Sequence, residues 1–215
     1  MIMTATTAPT ASPIAPSIAY EYKDALYLNI TNQCPCACIF CLRDTFESIG
    51  DADNLWLKSD PSFDEVIAAI QEYEPLDTYS EVVFCGFGEP FSAYDTMMQV
   101  ARWLKEQAQV KHVRINTNGL GDLIVGRSVA PELAGVIDEL SVSLNAPDAV
   151  TYEDLCNPEF GPQSFDAILA FVKAAKQYVP QISLSVVDFL SDEDLQKCED
   201  IATALEFPLR VRQFS

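Results

Sequence analysis

From Tyr20 onward, short apolar runs of strand formers alternate with longer stretches whose apolar residues recur at helical spacing. The runs predict strands over Leu26 to Ile30, Glu81 to Phe84, His112 to Ile115, Glu139 to Leu144, Ile182 to Val187 and Pro208 to Arg212. Between them, helical patterns cover Phe63 to Tyr73, Tyr94 to Gln107, Ala130 to Val136, Phe165 to Tyr178 and Asp192 to Leu205. Ser62 with Glu65, Ser164, and Ser191 followed by three acidic residues read as helix starts. Such alternation predicts an α/β fold with a parallel sheet, and runs such as EVVF and ISLSVV suit strands covered on both faces. The period fits an open doubly wound sheet or an incomplete barrel equally well. Polar punctuation falls after each of the first four strands: a cysteine run, GFGEP, NTNG and SLN. At the carboxyl ends of parallel strands these segments would share one mouth, where folds of this class carry their chemistry.

The first nineteen residues break the pattern. They are nearly all Ala, Thr, Pro, Ser and Ile without a charged side chain, and prolines at 9, 13 and 16 disfavour regular pairing. Residues 1–19 are expected to be a flexible tail and 20–215 a single domain. No run approaches the ~20 apolar residues of a membrane helix, and no basic segment precedes an apolar one at the N-terminus, so a cytoplasmic protein is expected. With 32 acidic against 13 basic side chains and a net charge of −19, the average surface repels polyanions, which argues against extended nucleic-acid binding.

Four of the seven cysteines lie within eight positions, in CPCACIFC, which fits metal ligation in a reducing compartment better than a disulfide framework. Thiolates suit iron–sulfur clusters, zinc or copper(I). Cys34, Cys36, Cys38 and Cys41 together could serve a zinc ion, although structural zinc sites usually draw cysteine pairs from separate segments. Cys34, Cys38 and Cys41 read alone give C-x3-C-x2-C. The sole histidine, His112, opens a strand and supports neither a histidine metal triad nor a Ser-His-Asp site. Arg43, Arg127, Arg210 and Arg212 are candidates to meet an anionic substrate, and Cys156 is a candidate substrate contact.

The C-x3-C-x2-C spacing after the first strand, with ordered motifs at three later strand ends, resembles the radical S-adenosylmethionine (radical SAM) enzymes. The resemblance implies a partial (βα)6 TIM-like barrel of parallel strands. It implies a [4Fe-4S] cluster on Cys34, Cys38 and Cys41, with Phe40 beside the last thiol and Cys36 spare. The iron without a protein thiolate would bind S-adenosyl-L-methionine and reduce it to a 5'-deoxyadenosyl radical that abstracts hydrogen from substrate. Gly86, Phe87, Gly88 and Glu89 stand where the family's glycine-glycine-glutamate-proline turn meets the methionine amino group; Phe87 replaces one of those glycines. Asn116 would approach the nucleoside or methionine carboxylate, Ser143 and Asn145 the ribose or carboxylate, and Val187 the adenine. No catalytic residue beyond these is assigned. An electron donor such as flavodoxin or ferredoxin is implied. NITNQCPCACIFC with GFGEP, NTNG and SLNAPD is similar to the small TatD-linked radical SAM proteins, implying a TatD-type hydrolase as partner. A glycyl-radical enzyme activase and a non-enzymatic cluster or zinc module are the alternatives.

Overall fold

A computed structural model describes residues 16–46 and 48–213. Its strands form one seven-stranded sheet in strictly sequential order, β1 (Ala19–Tyr22), β2 (Ala25–Leu28), β3 (Glu81–Phe84), β4 (Val113–Thr117), β5 (Glu139–Ser143), β6 (Gln181–Val187) and β7 (Leu209–Arg212). Strands β2 to β7 run parallel, and β1 is an added antiparallel edge strand. A doubly wound sheet reverses strand order at a switch point; the unbroken sequence here is that of a partial barrel, and it settles the choice left open by periodicity.

Helices α1 (Phe63–Gln71), α2 (Tyr94–Glu106), α3 (Gly121–Val125), α4 (Ala149–Cys156), α5 (Gln163–Ala175) and α6 (Asp192–Leu205) fill the crossovers. The start of α1 is a full capping box, with Glu65 N donating to Ser62 Oγ and Ser62 N to Glu65 Oε2. Ser191 caps α6 by accepting from Asp194 N at 3.2 Å. The start expected at Ser164 lies two residues too late: α5 begins at Gln163 with Pro162 as its cap, and Ser164 is buried inside it with an unpartnered hydroxyl. Ala130 to Leu133 is a single 3-10 turn in place of the expected helix. The ordered chain also starts before residue 20, since Ala19 pairs with Leu28 and Asn29 N donates to Ile18 O. Residues 1–15 of the tail expected over residues 1–19 lie outside the described residues.

One sheet face is apolar. Leu26, Leu28, Val82, Phe84, Val113, Ile115, Leu140, Val142, Leu184 and Val186 join buried residues of α2 and α5 in the main core. By the period of two, the other face carries Tyr27, Glu81, Cys85, Arg114, Asn116, Glu139, Ser141, Ser143, Ser183, Ser185, Arg210 and Arg212. The inner face is thus mostly polar, with Val83 and Val187 as exceptions, and it is covered as well: Val83, Ser185 and Val187 are buried, so EVVF and the end of ISLSVV are enclosed on both faces as expected. Its floor is an ion pair: Arg114 Nε and Nη2 each donate to Glu81 at 2.7 Å, Nη1 donates to Asn116 Oδ1 at 2.7 Å, and Nη2 reaches Tyr27 OH at 3.4 Å.

Candidate active site

The cysteine loop leaves β2 at the carboxyl end of the sheet and is pinned by its backbone. Ala37 N donates to Cys156 O, Ile39 N to Leu155 O and Glu159 N to Pro35 O, so residues 35–39 lie along the end of α4. Cys34, Cys38 and Cys41 are half-buried, whereas Cys36 is buried. Neighbouring thiols form a row: Cys34 interacts with Cys36, Cys36 with Cys38, and Cys38 with Cys156. The bond to Cys36 and then burial raise the Cys34 thiol, the bond to Cys156 raises Cys38, and burial raises Cys41. Cys36 is pulled down by Cys34, but Cys38 and burial outweigh that and push it up to about 12. Its sulfur also meets Tyr152 OH at 3.8 Å and accepts from Asn118 Nδ2 at 3.7 Å.

The GFGEP turn is locked to this loop. A Cβ on Gly88 would fall 2.3 Å from Thr31 O and 2.8 Å from Gln33 O, and one on Gly86 would fall 2.0 Å from Asn29 Oδ1. Both glycines are thus required for the β3 turn to lie against the end of β2. Glu89 N donates to Gln33 O at 2.8 Å. The Glu89 carboxylate, 4% exposed, accepts from Phe91 N at 3.2 Å, Thr117 Oγ1 at 2.8 Å and Asn118 N at 2.7 Å. It therefore braces the β3 and β4 turns together. Phe87 points elsewhere, into a small cluster with Tyr20, Ala52 and Leu55, with its ring edge against Trp56.

Burial pushes the Glu89 carboxyl up to about 7 despite the three donors, which favour the charged form. An acid whose folded value lies above its ordinary 4.5 stabilises the fold fully below that value and loses the contribution as pH rises through about 7. Glu89→Gln should flatten the dependence of the urea midpoint on pH across this window. Because an amide nitrogen would face one of the N–H donors, it should also cost about 1–3 kcal/mol. Urea titrations at both ends of the window check this, and a variant with the wild-type slope contradicts it.

The remaining candidates converge on the same mouth. Asn116 faces the interior, where it accepts from Arg114. Ser143 Oγ and Asn145 Oδ1 both accept from Arg212 Nη2 at 3.3 Å, and Asn145 Nδ2 reaches Cys156 Sγ at 3.7 Å. Asn145 adopts φ 58, a left-handed turn that asparagine tolerates. Val187 is buried at the end of β6 beside Arg212, and Phe40 packs its ring 6.5 Å from that of Phe189. The motif readings missed Asn118 and Tyr152. Asn118 joins the NTNG turn to both Glu89 and Cys36. Tyr152 lies on a helix that the sequence pattern does not announce.

A family model described as the radical SAM superfamily matches residues 28–204. The chain belongs to the radical SAM superfamily. Among curated relatives it is 26% identical over 141 residues to a probable dual-specificity RNA methyltransferase RlmN of Caldanaerobacter subterraneus subsp. tengcongensis, covering 61% of this chain and 36% of that protein. It is 30% identical over 129 residues to the RlmN of Streptococcus gordonii, covering 55% and 33%. The chain thus spans about a third of the length of these relatives. Among solved structures, a radical SAM methyltransferase from Sphaerobacter thermophilus aligns with a TM-score of 0.60 at 19% identity over 91% of this chain and 68% of that one. Streptococcus suis SuiB bound to the precursor peptide SuiA aligns at 0.63 and 16% over 94% and 40%. These likenesses show the fold, a radical SAM barrel. Superfamily members are enzymes that use a [4Fe-4S] cluster and S-adenosylmethionine, and the donor set suits both: soft, half-buried thiols on one loop, beside a polar barrel mouth. Among the described residues, no helix is long and apolar enough to cross a membrane.

Proposed function

We propose that Cys34, Cys38 and Cys41 hold the [4Fe-4S] cluster and that the mouth formed by the GFGEP, NTNG and SLN turns binds S-adenosylmethionine. The observation that carries this reading is the chain of bonds joining the segments: Glu89 to Thr117 and Asn118, Asn118 to Cys36, and Asn145 to Cys156. The bound cofactors supply a 5'-deoxyadenosyl radical for hydrogen abstraction, and the chain supplies position and shelter. The bonds of residues 35–39 to the end of α4 hold Cys38 while Cys34 and Cys41 remain accessible at either side. Gly86 and Gly88 bring the β3 turn against the loop, presenting backbone polar groups to the methionine amino group. Glu89 acts chiefly as the brace that fixes this turn. Asn116, Ser143 and Asn145 offer polar atoms to the carboxylate and ribose, while Val187 and the Phe40 ring give apolar surface.

Within the superfamily, the resemblance of the motif string supports the small TatD-linked type, for which a TatD-type hydrolase and a flavodoxin or ferredoxin would be the partners. RNA methylation, the activity named for the RlmN relatives, is disfavoured by the net charge of −19. Anaerobic reconstitution should yield about four irons per chain and, after reduction, an electron paramagnetic resonance signal that changes on adding S-adenosylmethionine. Retention of one zinc by the same thiols, with no such signal, would overturn the reading in favour of a structural module.

A further inference from the structure

We infer that Arg212, with Arg210, forms an oxyanion site for a carboxylate or phosphate group of the substrate inside the barrel; this rests on the radical SAM reading above. The two arginines lie two residues apart on β7 and share its inner face. Arg212 pairs in register with Val187 at the carboxyl end of β6, and Arg210 with Ser185 one step deeper. From there the Arg212 guanidinium crosses β6 to reach Ser143 and Asn145 on the β5 side.

These partners are neutral, and the guanidinium Nε is buried with no acceptor. Among the described residues, neither Arg210 nor Arg212 is ion-paired, whereas Arg114 on the same face is bridged to Glu81 and Arg127 to Glu132. In this half-buried guanidinium, a donor sealed from water with no acceptor and no counter-charge is costly unless an anion completes it. In a chain of net charge −19, two uncompensated arginines two residues apart on one strand face are a local exception. Burial holds the Arg212 guanidinium below its ordinary value, and the ionisable groups facing it are Cys85, Arg210, Cys38 and Cys156. Asn145, which Arg212 reaches, also meets Cys156, whose carbonyl accepts from Ala37 N of the cysteine loop, so the guanidinium lies close to that loop. A guanidinium fork binds planar carboxylate or phosphate oxygens in two-point fashion, and the exposed Arg210 suits a second oxygen of the same group. Such an anchor fixes one end of a small anionic substrate while its reacting carbon lies nearer the mouth.

The methionine carboxylate of S-adenosylmethionine has the same chemistry, so the test separates the two sources. Titration calorimetry of the anaerobically reconstituted holoprotein, saturated with S-adenosylmethionine at low ionic strength, would use inorganic phosphate and succinate as probes. At least one should bind, roughly tenfold or more weakly in Arg212→Gln, with partial recovery in Arg212→Lys. Arg210→Gln, at an exposed position, should also weaken it and guards against a folding failure of the first variant. Failure of both anions to bind the wild type overturns the proposal, as does binding that survives Arg212→Gln. If Arg212→Gln instead loses S-adenosylmethionine, and that ligand blocks the anions in the wild type, the guanidinium serves the methionine carboxylate and the proposal falls. A protein that binds phosphate through Arg212 but yields no 5'-deoxyadenosine leaves the anion site standing and removes the radical reading.

Discussion

Replacing Cys38 with alanine should reduce iron in the reconstituted protein to background, as should Cys34→Ala or Cys41→Ala, whereas Cys36→Ala should keep its iron. The contrast is large because in the proposed site three thiolates would hold the cluster, and loss of one would leave a second iron without protein ligation. Cys36 differs in its surroundings. It is buried against Tyr152 OH and Asn118 Nδ2, and its backbone bridges to Pro158, so its thiol is tied into the protein while the other three remain half-exposed. Its replacement should cost about 1–2 kcal/mol of stability through lost packing, read as a lower urea midpoint. Iron and sulfide assays on the four variants check this, and a Cys36→Ala protein that binds no iron would mean that Cys36 is itself a ligand.

Gly88→Ala should have the largest effect on folding of any single change at the mouth, about 3 kcal/mol or more, and should lower iron incorporation with it. Its Cβ would meet Thr31 O at 2.3 Å, Thr31 C at 2.7 Å and Gln33 O at 2.8 Å, all main-chain atoms of the segment that leads into Cys34. No flexible side chain is there to yield, so relief requires moving the cysteine loop off the β3 turn. The same shift would strain the bond from Glu89 N to Gln33 O. Gly126→Ala is the matched control for cofactor incorporation, because nothing lies within 4 Å of its Cβ; its φ of +75 leaves a backbone cost only. Thermal unfolding and iron content of the two variants decide it: equal iron loading in both would contradict the coupling of turn and loop.

The parallel strands and the mouth were legible because polar punctuation sits at the carboxyl ends of clean apolar runs. NITNQC, GFGEP, NTNG and SLN all fall at the ends of β2 to β5. What escaped notice lacks such signals. The β1–β2 hairpin turns at Lys23 with φ 59, a left-handed position without the glycine or asparagine that usually marks one, so AYEYKDALYL reads as a single run. Helix α4 buries only Tyr152 and Cys156, too thin a stripe for a periodicity reading, although Asp148 caps it by accepting from Thr151 N. The short α3 follows directly from the NTNG turn and offers five residues, less than two turns of pattern.

The polarity of the inner face was not legible for a different reason. Serines alternate with aliphatics in ISLSVV, and β propensity alone gives the same strand whether the serines meet helices or a cavity. Only the register, with Ser141 beside Ser183 and Ser143 beside Ser185, shows that they form one polar wall. The glycines of GFGEP carry a similar lesson. By resemblance they meet the methionine amino group; the fold adds that they make room for Asn29 and Thr31, and so place the cysteine loop. Arg212 stood out in sequence only as one of four basic residues; its unpaired Nε and neutral partners emerge once β7 is laid beside β6.

Reductive cleavage of S-adenosylmethionine at a three-cysteine cluster in this barrel is the step on which the proposed function stands. The direct measurement is chromatographic detection of 5'-deoxyadenosine after incubating anaerobically reconstituted protein with S-adenosylmethionine and dithionite. The account predicts 5'-deoxyadenosine from the wild type and none from Cys38→Ala; a fully iron-loaded wild type that forms none contradicts it.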